Sequence, residues 1–408
     1  MQILSAPEIQ KLPNIDELLD RIEGIRYDFE IQGGWESKIT NIKDTAYYLG
    51  LSSSLAPYYN NAEPDDFIVS RLATKRFCFK PNLTNVPFLL RGQNKEYPYI
   101  ISPFERKDSD DKLISRLKTE DFVSFVKTHP LCRMFDNGIQ LPSFNKTLFF
   151  EMNYYGLAQH YNFHTGLIDF TVSPLVVAFF ATTINKGNDT YAPIEDTNEY
   201  PYGVIYMHTI MPMTFQMFST IGQQVFPRTG AQYGFFFQEQ QCRCYIGNLV
   251  HKFYFRHDAE CSRRIFNLFD GGKRLFPKDD LCEMALEINN SKEVSLLSFA
   301  ENLYTNPKDS LENNLERCRN KGVNINPNLF YIFTPELLQT YFQDIKNGLW
   351  EEFCRPIVFY APEGDKLKDE LLNLPNDKHY QQYFDQRYYE RLYYHQRNLL
   401  RQHNKHFR

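Results

Sequence analysis

Arg91 closes the apolar run Val86-Pro87-Phe88-Leu89-Leu90 and is followed by Gly92 and Gln93. A guanidinium cannot shed its charge, so one set at the end of a buried strand needs an anionic partner. An internal carboxylate meets that need. So does a phosphate or pyrophosphate, whose oxygens match the guanidinium fork bidentately. Asp169 poses the same question with the opposite sign. It stands inside Leu167-Ile168-Asp169-Phe170-Thr171, where a carboxylate is costly unless it is paired, hydrogen-bonded or capping the turn that follows. Thr171 and Ser173 alternate at strand spacing, so their hydroxyls face one side. Ser173-Pro174 then reads as the start of a buried helix, with Ser at the N-cap and Pro in the first position, and helix N-termini favour anions. Gln159-His160-Tyr161 ends the preceding helical stretch and can line the same cleft.

Other chemistries find little support. The chain has no Walker loop, no Gly-x-Gly-x-x-Gly, no His-Glu-x-x-His and no Gly-x-Ser-x-Gly. His160 and His164 lie four apart, but Asn162-Phe163 is expected to end the helix between them, and no metal site is expected. Eight cysteines at 78, 132, 242, 244, 261, 282, 318 and 354 form no Cys-x-x-Cys, and free thiols in a reducing compartment are expected.

The elements that must position these residues are read as follows. Residues 1–80 look like short helices and loops, with a capped helix starting at Asn14. Val86–Gln93 reads as a strand and 111–129 as a helix, with Thr119 as a cap. Lys146–Asn162 has helical spacing, and Thr165–Thr171 reads as a strand. Residues 186–201 read as an acidic loop. Strands follow at Tyr202–Thr209, Ala231–Gln238 and Leu249–His257. From about 278 the period is helical, with a helix start at Thr334-Pro335 and one long terminal helix over 376–408. That terminal segment holds seven Lys/Arg against three acids, which suits either a packed aromatic stripe with a solvated basic face or a docking arm for an anionic partner.

Composition bounds the rest. The 408 residues are 42% hydrophobic and 23% charged, with formal net charge −5, enough for a sizeable core and unlike a general nucleic-acid binder. Phe (35) and Tyr (27) are abundant, so core and pocket walls should be aromatic. The longest apolar run, Leu175–Ala181, is far short of the ~20 residues of a spanning helix, so no membrane segment is expected. The first residues show no secretory signal. The expectation is a cytoplasmic protein as synthesised, with export by a signal-independent route left open.

Five stretches in order resemble a known family. They are Leu90-Arg91-Gly92; Tyr155-Gly156-Leu157-Ala158-Gln159-His160-Tyr161; Thr165–Pro174 running into Ala178–Ala181; Pro227-Arg228-Thr229-Gly230-Ala231-Gln232-Tyr233-Gly234-Phe235; and Leu275-Phe276-Pro277 with Asp280-Leu281. Together they resemble the FRG domain over about residues 80–290. Leu90 stands for that family's aromatic residue, Asn162 for a common Gly, Gly166 for an Arg and Phe170 for a Trp. More loosely, the order is similar to the Arg–Ser–Glu class of ADP-ribosyltransferases.

That second resemblance implies an α+β fold: a split, mixed but mainly antiparallel β core in two small packed sheets around a cleft. N-terminal helices over 1–80 precede a core domain over 81–290, and an all-helical region over 291–408 serves target recognition or packing. It implies NAD as substrate, Arg91, Ser173 and Gln232 as catalytic residues, and Arg91, Gly92, Gln159, His160, Asp169, Thr171 and Ser173 as NAD-binding residues. The implied activity is mono-ADP-ribosyl transfer by a bacterial toxin or effector, with a protein as the target ahead of nucleic acid. The glutamates of the third motif are replaced: Gln223 and Gln224 stand at their place, with Gln232 and Glu239 as the other candidates. A neutral amide can hold a hydroxyl but is a poor general base. Two alternatives follow, a non-catalytic nucleotide-binding or interaction module and a nucleic-acid-directed toxin or defence protein.

Overall fold

The computed structural model describes residues 4–32, 34, 63, 65–72, 74–83, 85–144, 147–210, 217–238, 246–306, 310–359 and 363–406. These divide into two compact units. One draws on Met1–Ile100 and Leu167–Lys278, the other on Ile101–Gly166, Asp279–Phe359 and Glu363–Arg408. In chain order, the second unit's first segment is therefore an insertion between two strands of the first.

After a short helical turn at Ala6–Gln10, the first unit has helix α1 (Ile15–Ile31). Asn14 caps it by accepting from the Glu17 amide at 2.9 Å, while the Glu17 carboxylate accepts from the Asn14 amide at 2.9 Å. An antiparallel hairpin follows, β1 (Phe67–Arg71) with β2 (Phe77–Pro81). Six strands then build the main sheet: β3 (Phe88–Gln93), β4 (Leu167–Thr171), β7 (Tyr202–Thr209), β8 (Phe218–Thr220), β9 (Gly234–Gln238) and β10 (His251–Arg256). Their spatial order is β8-β9-β4-β3-β7-β10. Between β4 and β7 lie helix α2 (Pro174–Thr182) and the hairpin β5 (Thr183–Gly187)–β6 (Thr190–Pro193). Every pair in the main sheet is antiparallel. It is narrow at its centre: β3 matches β7 along its whole length, but meets β4 only at Leu90 opposite Thr171.

α2 is apolar on nearly all sides, as a helix buried in a core must be. Its Val177, Ala178 and Ala181 join Leu89 and Leu90 of β3, Ile205 of β7, Phe255 of β10 and Ile15, Leu18 and Ile22 of α1 in one cluster. The small side chains of α2 let it lie close on β3.

In the second unit the long helix Ser109–Val126 lays Leu113 and Leu117 against Val294, Phe299, Cys318 and Val323. A short parallel pair, Glu293–Ser295 with Asn324–Asn326, lies in this unit. Asp121, 1% exposed, accepts from the Ser295 amide and from the hydroxyls of Ser295 and Ser298 at the start of helix Leu296–Thr305. Burial pushes its carboxyl up to about 6. Burial also pushes His129, the N-cap of helix Pro130–Asn137, down to about 3.

These two shifts act on stability with opposite signs. Asp121 binds its proton more tightly when folded, so its ionisation erodes stability as pH rises from about 4 to about 6. His129 is held neutral when folded, so its contribution is lost as pH falls from about 6.5 toward 3. In the parent chain the slopes oppose each other between pH 4 and 6. Asp121→Asn removes one of them. The variant is expected to lose about 2 kcal/mol relative to the parent on going from pH 6 to pH 4, read from urea melts at the two values.

Several sequence expectations are corrected. Residues 1–80 are not all helix and loop, since β1 and β2 lie there: Phe67, Val69, Phe77 and Phe79 supply strand-forming side chains. The cap of the 109–126 helix is Asp108, not Thr119, whose hydroxyl instead bonds back to the Ser115 carbonyl at 2.8 Å within the helix. The helix expected over 146–162 is confined to Tyr154–His160, and Thr147–Leu148 is extended. The acidic loop expected over 186–201 overlaps the β5–β6 hairpin, turned by Asn188 and Asp189 at positive φ, a conformation these two residue types tolerate. The strand expected from Ala231 starts at Gly234, because Pro227–Ala231 forms a helical turn, α3. Residues 291–408 are not all helical: strands Glu293–Ser295, Asn324–Asn326 and Ile357–Val358 interrupt them. The terminal helix starts at Gln386, since Asp385 is extended. In it Tyr389 is buried while Arg387, Arg391 and Arg401 are exposed.

The starts of α1 and α2, the Pro335–Lys346 helix and strand β7 match expectation. Among the described residues no helix is long and apolar enough to cross a membrane. The six described cysteines are free thiols.

Candidate functional site

The site is built where the main sheet narrows. β3 and β4 share one registered pair, Leu90 with Thr171, and Arg91 is the next residue along β3. Its guanidinium reaches across to β4. Nη1 donates to the Asp169 main-chain carbonyl at 3.0 Å and stands 3.5 Å from the Asp169 carboxylate. That ion pair is long and its carboxylate side chain is 56% exposed, so it only weakly compensates a mostly buried guanidinium. Nε of Arg91 is buried with no hydrogen-bond partner in the protein. Arg91 is thus not sealed into a tight internal carboxylate pair.

Gly92 is there because α2 is. A Cβ at that position would come within 2.2 Å of the Val177 carbonyl oxygen and 3.0 Å of the Ala181 Cβ. The Leu90-Arg91-Gly92 stretch therefore has a packing component: the glycine admits the helix, and the helix fixes the strand that carries the arginine.

The strand–helix junction is wired through its hydroxyls. Thr171, buried, donates to the Gln232 carbonyl at 2.7 Å and accepts from the Ser173 amide at 3.1 Å. Ser173 caps α2, accepting from Val176 at 3.4 Å. Gln232 follows α3, and its side-chain Nε2 donates to the Leu275 carbonyl at 3.0 Å. Arg228 of α3, 4% exposed, donates through Nε to the Pro277 carbonyl at 3.0 Å. Its Nη1 lies 2.7 Å from the carboxylate of Asp189 in the β5–β6 turn. Beside this pair, Tyr191 stacks on Phe276 at 5.2 Å. Three sequence motifs far apart along the chain, at 171–173, 227–232 and 275–277, are thereby joined by hydrogen bonds.

The remaining candidates lie elsewhere. Gln223 bonds through its amide to the Phe79 carbonyl at 2.9 Å, and its side chain lies under Gly230, where a Cβ would meet it at 1.8 Å. Gln224 is buried, its Nε2 donating to Ile221 at 3.3 Å. Of the four residues considered for the third motif, Gln232 is the one bonded to the Thr171 junction, while Glu239 falls outside the described residues. Gln159 and His160 belong to the second unit. There Gln159 accepts from the Thr165 hydroxyl, and His160 is buried at the end of its helix. Among the described residues no cluster of His, Cys, Asp or Glu could hold a metal.

Two residues of this site were missed from sequence. Asp189 sat in what read as loop, with no signal that it meets Arg228. Gln93 had one: it lies two residues beyond Arg91, on the same face of a strand.

No curated protein and no solved structure matches the chain. Among protein families, the match is to the FRG domain, over a stretch that begins just before β3 and ends at the first residue of β6. Residues 87–190 of this chain match the FRG domain.

Proposed function

We propose that the chain is an NAD-dependent mono-ADP-ribosyltransferase of the bacterial toxin or effector kind, with a protein as acceptor. The observation that carries the reading is Arg91: a charged side chain where β3 meets β4, with a buried Nε lacking a partner and a long bond to an exposed carboxylate. Such a group is suited to an anionic ligand, and the diphosphate of NAD is the fit implied by the motif order. Arg91 and Thr171 lie on β3 and β4, which are neighbours in the sheet, and Gln232 lies just before β9, the other neighbour of β4, which supports the same reading.

In this scheme Arg91 anchors the diphosphate. Ser173, at the start of α2, braces the ribose side. Gln232, fixed at one end by Leu275, offers its amide oxygen to a ribose hydroxyl. The glycosidic C–N bond breaks, nicotinamide leaves with the electron pair, and the acceptor attacks the oxocarbenium-like carbon and gives up its proton to water. Electrostatic positioning supplies most of the rate.

A second reading is favoured by one specific feature. The third-motif positions carry amides rather than a carboxylate, which suits NAD binding without turnover.

Calorimetric titration with NAD, nicotinamide release by chromatography, and label transfer from NAD into a lysate separate the readings. The transferase reading expects binding and transfer, both reduced at least tenfold in Arg91→Ala. Binding without release selects the second. No binding in the parent, or an Arg91→Ala variant that behaves like the parent, rejects both.

A further inference from the structure

Gln93 ends β3 two residues beyond Arg91. The pairing of β3 with β7 runs without a bulge from Phe88 to Gln93, so Arg91 and Gln93 project from one face of the strand. The other face, through Gly92, is the one against α2. Gln93 is 7% exposed, and its Oε1 is buried with no hydrogen-bond partner in the protein. Neighbouring positions on one strand face therefore hold an unsatisfied donor, Arg91 Nε, and an unsatisfied acceptor, Gln93 Oε1. Each costs free energy comparable to a lost hydrogen bond while it stays so.

The two atoms ask for different things. A guanidinium Nε–H asks for an acceptor, best an anionic one. An amide oxygen asks for a donor, and a phosphate at neutral pH offers little. Residues i and i+2 of a strand stand roughly 7 Å apart along the chain, comparable to the span from a phosphate to a hydroxyl of the sugar attached to it.

We propose that Arg91 and Gln93 form a subsite for a phosphosugar, with the phosphate on Arg91 and a sugar hydroxyl donating to Gln93 Oε1. This rests on the NAD reading of the same site and deepens it: Gln93 is the residue that selects for the ribose beside the diphosphate. Gln93 carries no role in the transfer step itself.

The test uses three probes on the full chain: NAD, ADP-ribose and inorganic pyrophosphate, titrated calorimetrically. Pyrophosphate carries the anion without the sugar. Arg91→Ala should weaken all three. Gln93→Leu should weaken NAD and ADP-ribose about tenfold, the loss of one buried hydrogen bond, and leave pyrophosphate within twofold. Gln93→Met, an apolar side chain of similar length, should repeat the pattern, and thermal melts of both variants should show the parent's cooperative transition.

Equal loss for all three probes, or no loss for any, overturns the subsite; in the latter case the two atoms are satisfied by ordered water. If the parent binds ADP-ribose in a Gln93-dependent way but never releases nicotinamide, the transferase reading falls and the subsite stands. If the parent transfers ADP-ribose and Gln93→Leu binds every probe as the parent does, the subsite falls and the transferase reading stands.

Discussion

Gly92→Ala is expected to destabilise the first unit by about 3 kcal/mol and to lower its melting temperature by roughly 10 °C. The added methyl would sit 2.2 Å from the Val177 carbonyl oxygen, and the obstacle is helix backbone rather than a side chain that can rotate away. Relief requires α2 to move off β3 by about an ångström, opening contacts around Ala178 and Ala181 in a core packed at crystal density. A second consequence reaches the site. Arg91 precedes the clash, and Ser173 and Thr171 lie at the mouth of the helix that must move. Any NAD affinity should therefore fall along with stability, whereas Arg91→Ala should change affinity with little change in melting. Scanning calorimetry and NAD titration on the two variants check this. A Gly92→Ala chain with the parent's melting temperature would mean that α2 does not pack on β3 as described.

The contrast between these two neighbouring positions shows what the sequence made legible. A charged residue ending an apolar run, followed by glycine, announces both an electrostatic demand and a steric one. The partners that meet them lie far along the chain. Asp169 is 78 residues from Arg91, and their meeting depends on β3 and β4 being neighbours in the sheet. Ser173-Pro174 was readable as a helix start because the cap and the first-turn proline act within a few residues. Thr119 misled for the same local reason, since a threonine that bonds back four residues inside a helix looks from sequence like one that caps.

The links from Thr171 to Gln232 and from Gln232 to Leu275 were hidden for a different reason. In each the acceptor is a main-chain carbonyl, which every residue type supplies. The β5–β6 hairpin escaped because most of its residues are polar and partly exposed, so the apolar alternation that marks a half-buried strand is faint. Its turn residues, Asn188 and Asp189, were the available signal. Missing that turn also meant missing the partner of Arg228.

Arg228 is where that omission matters most. The guanidinium is almost fully buried and bonds two segments at once: the hairpin turn through Asp189 and the 275–277 strap through the Pro277 carbonyl. Arg228→Ala is expected to cost about 3 kcal/mol, because it strands a partly buried carboxylate, orphans a carbonyl and leaves a cavity. Arg228→Lys keeps the charge but loses the fork that serves both partners, and should fall between the two. Because much of the Ala penalty comes from the abandoned carboxylate, Asp189→Asn on the Arg228→Ala background should recover part of it, a coupling that a double-mutant cycle in urea measures. Trypsin gives an independent readout. Lys273, Arg274 and Lys278 flank the strap, and its release should speed cleavage there in Arg228→Ala. If cleavage and stability match the parent while NAD binding is lost, Arg228 touches ligand rather than clamping the strap. If both change and Arg228→Lys retains NAD affinity, Arg228 acts by holding Leu275, and through it the amide of Gln232, in place.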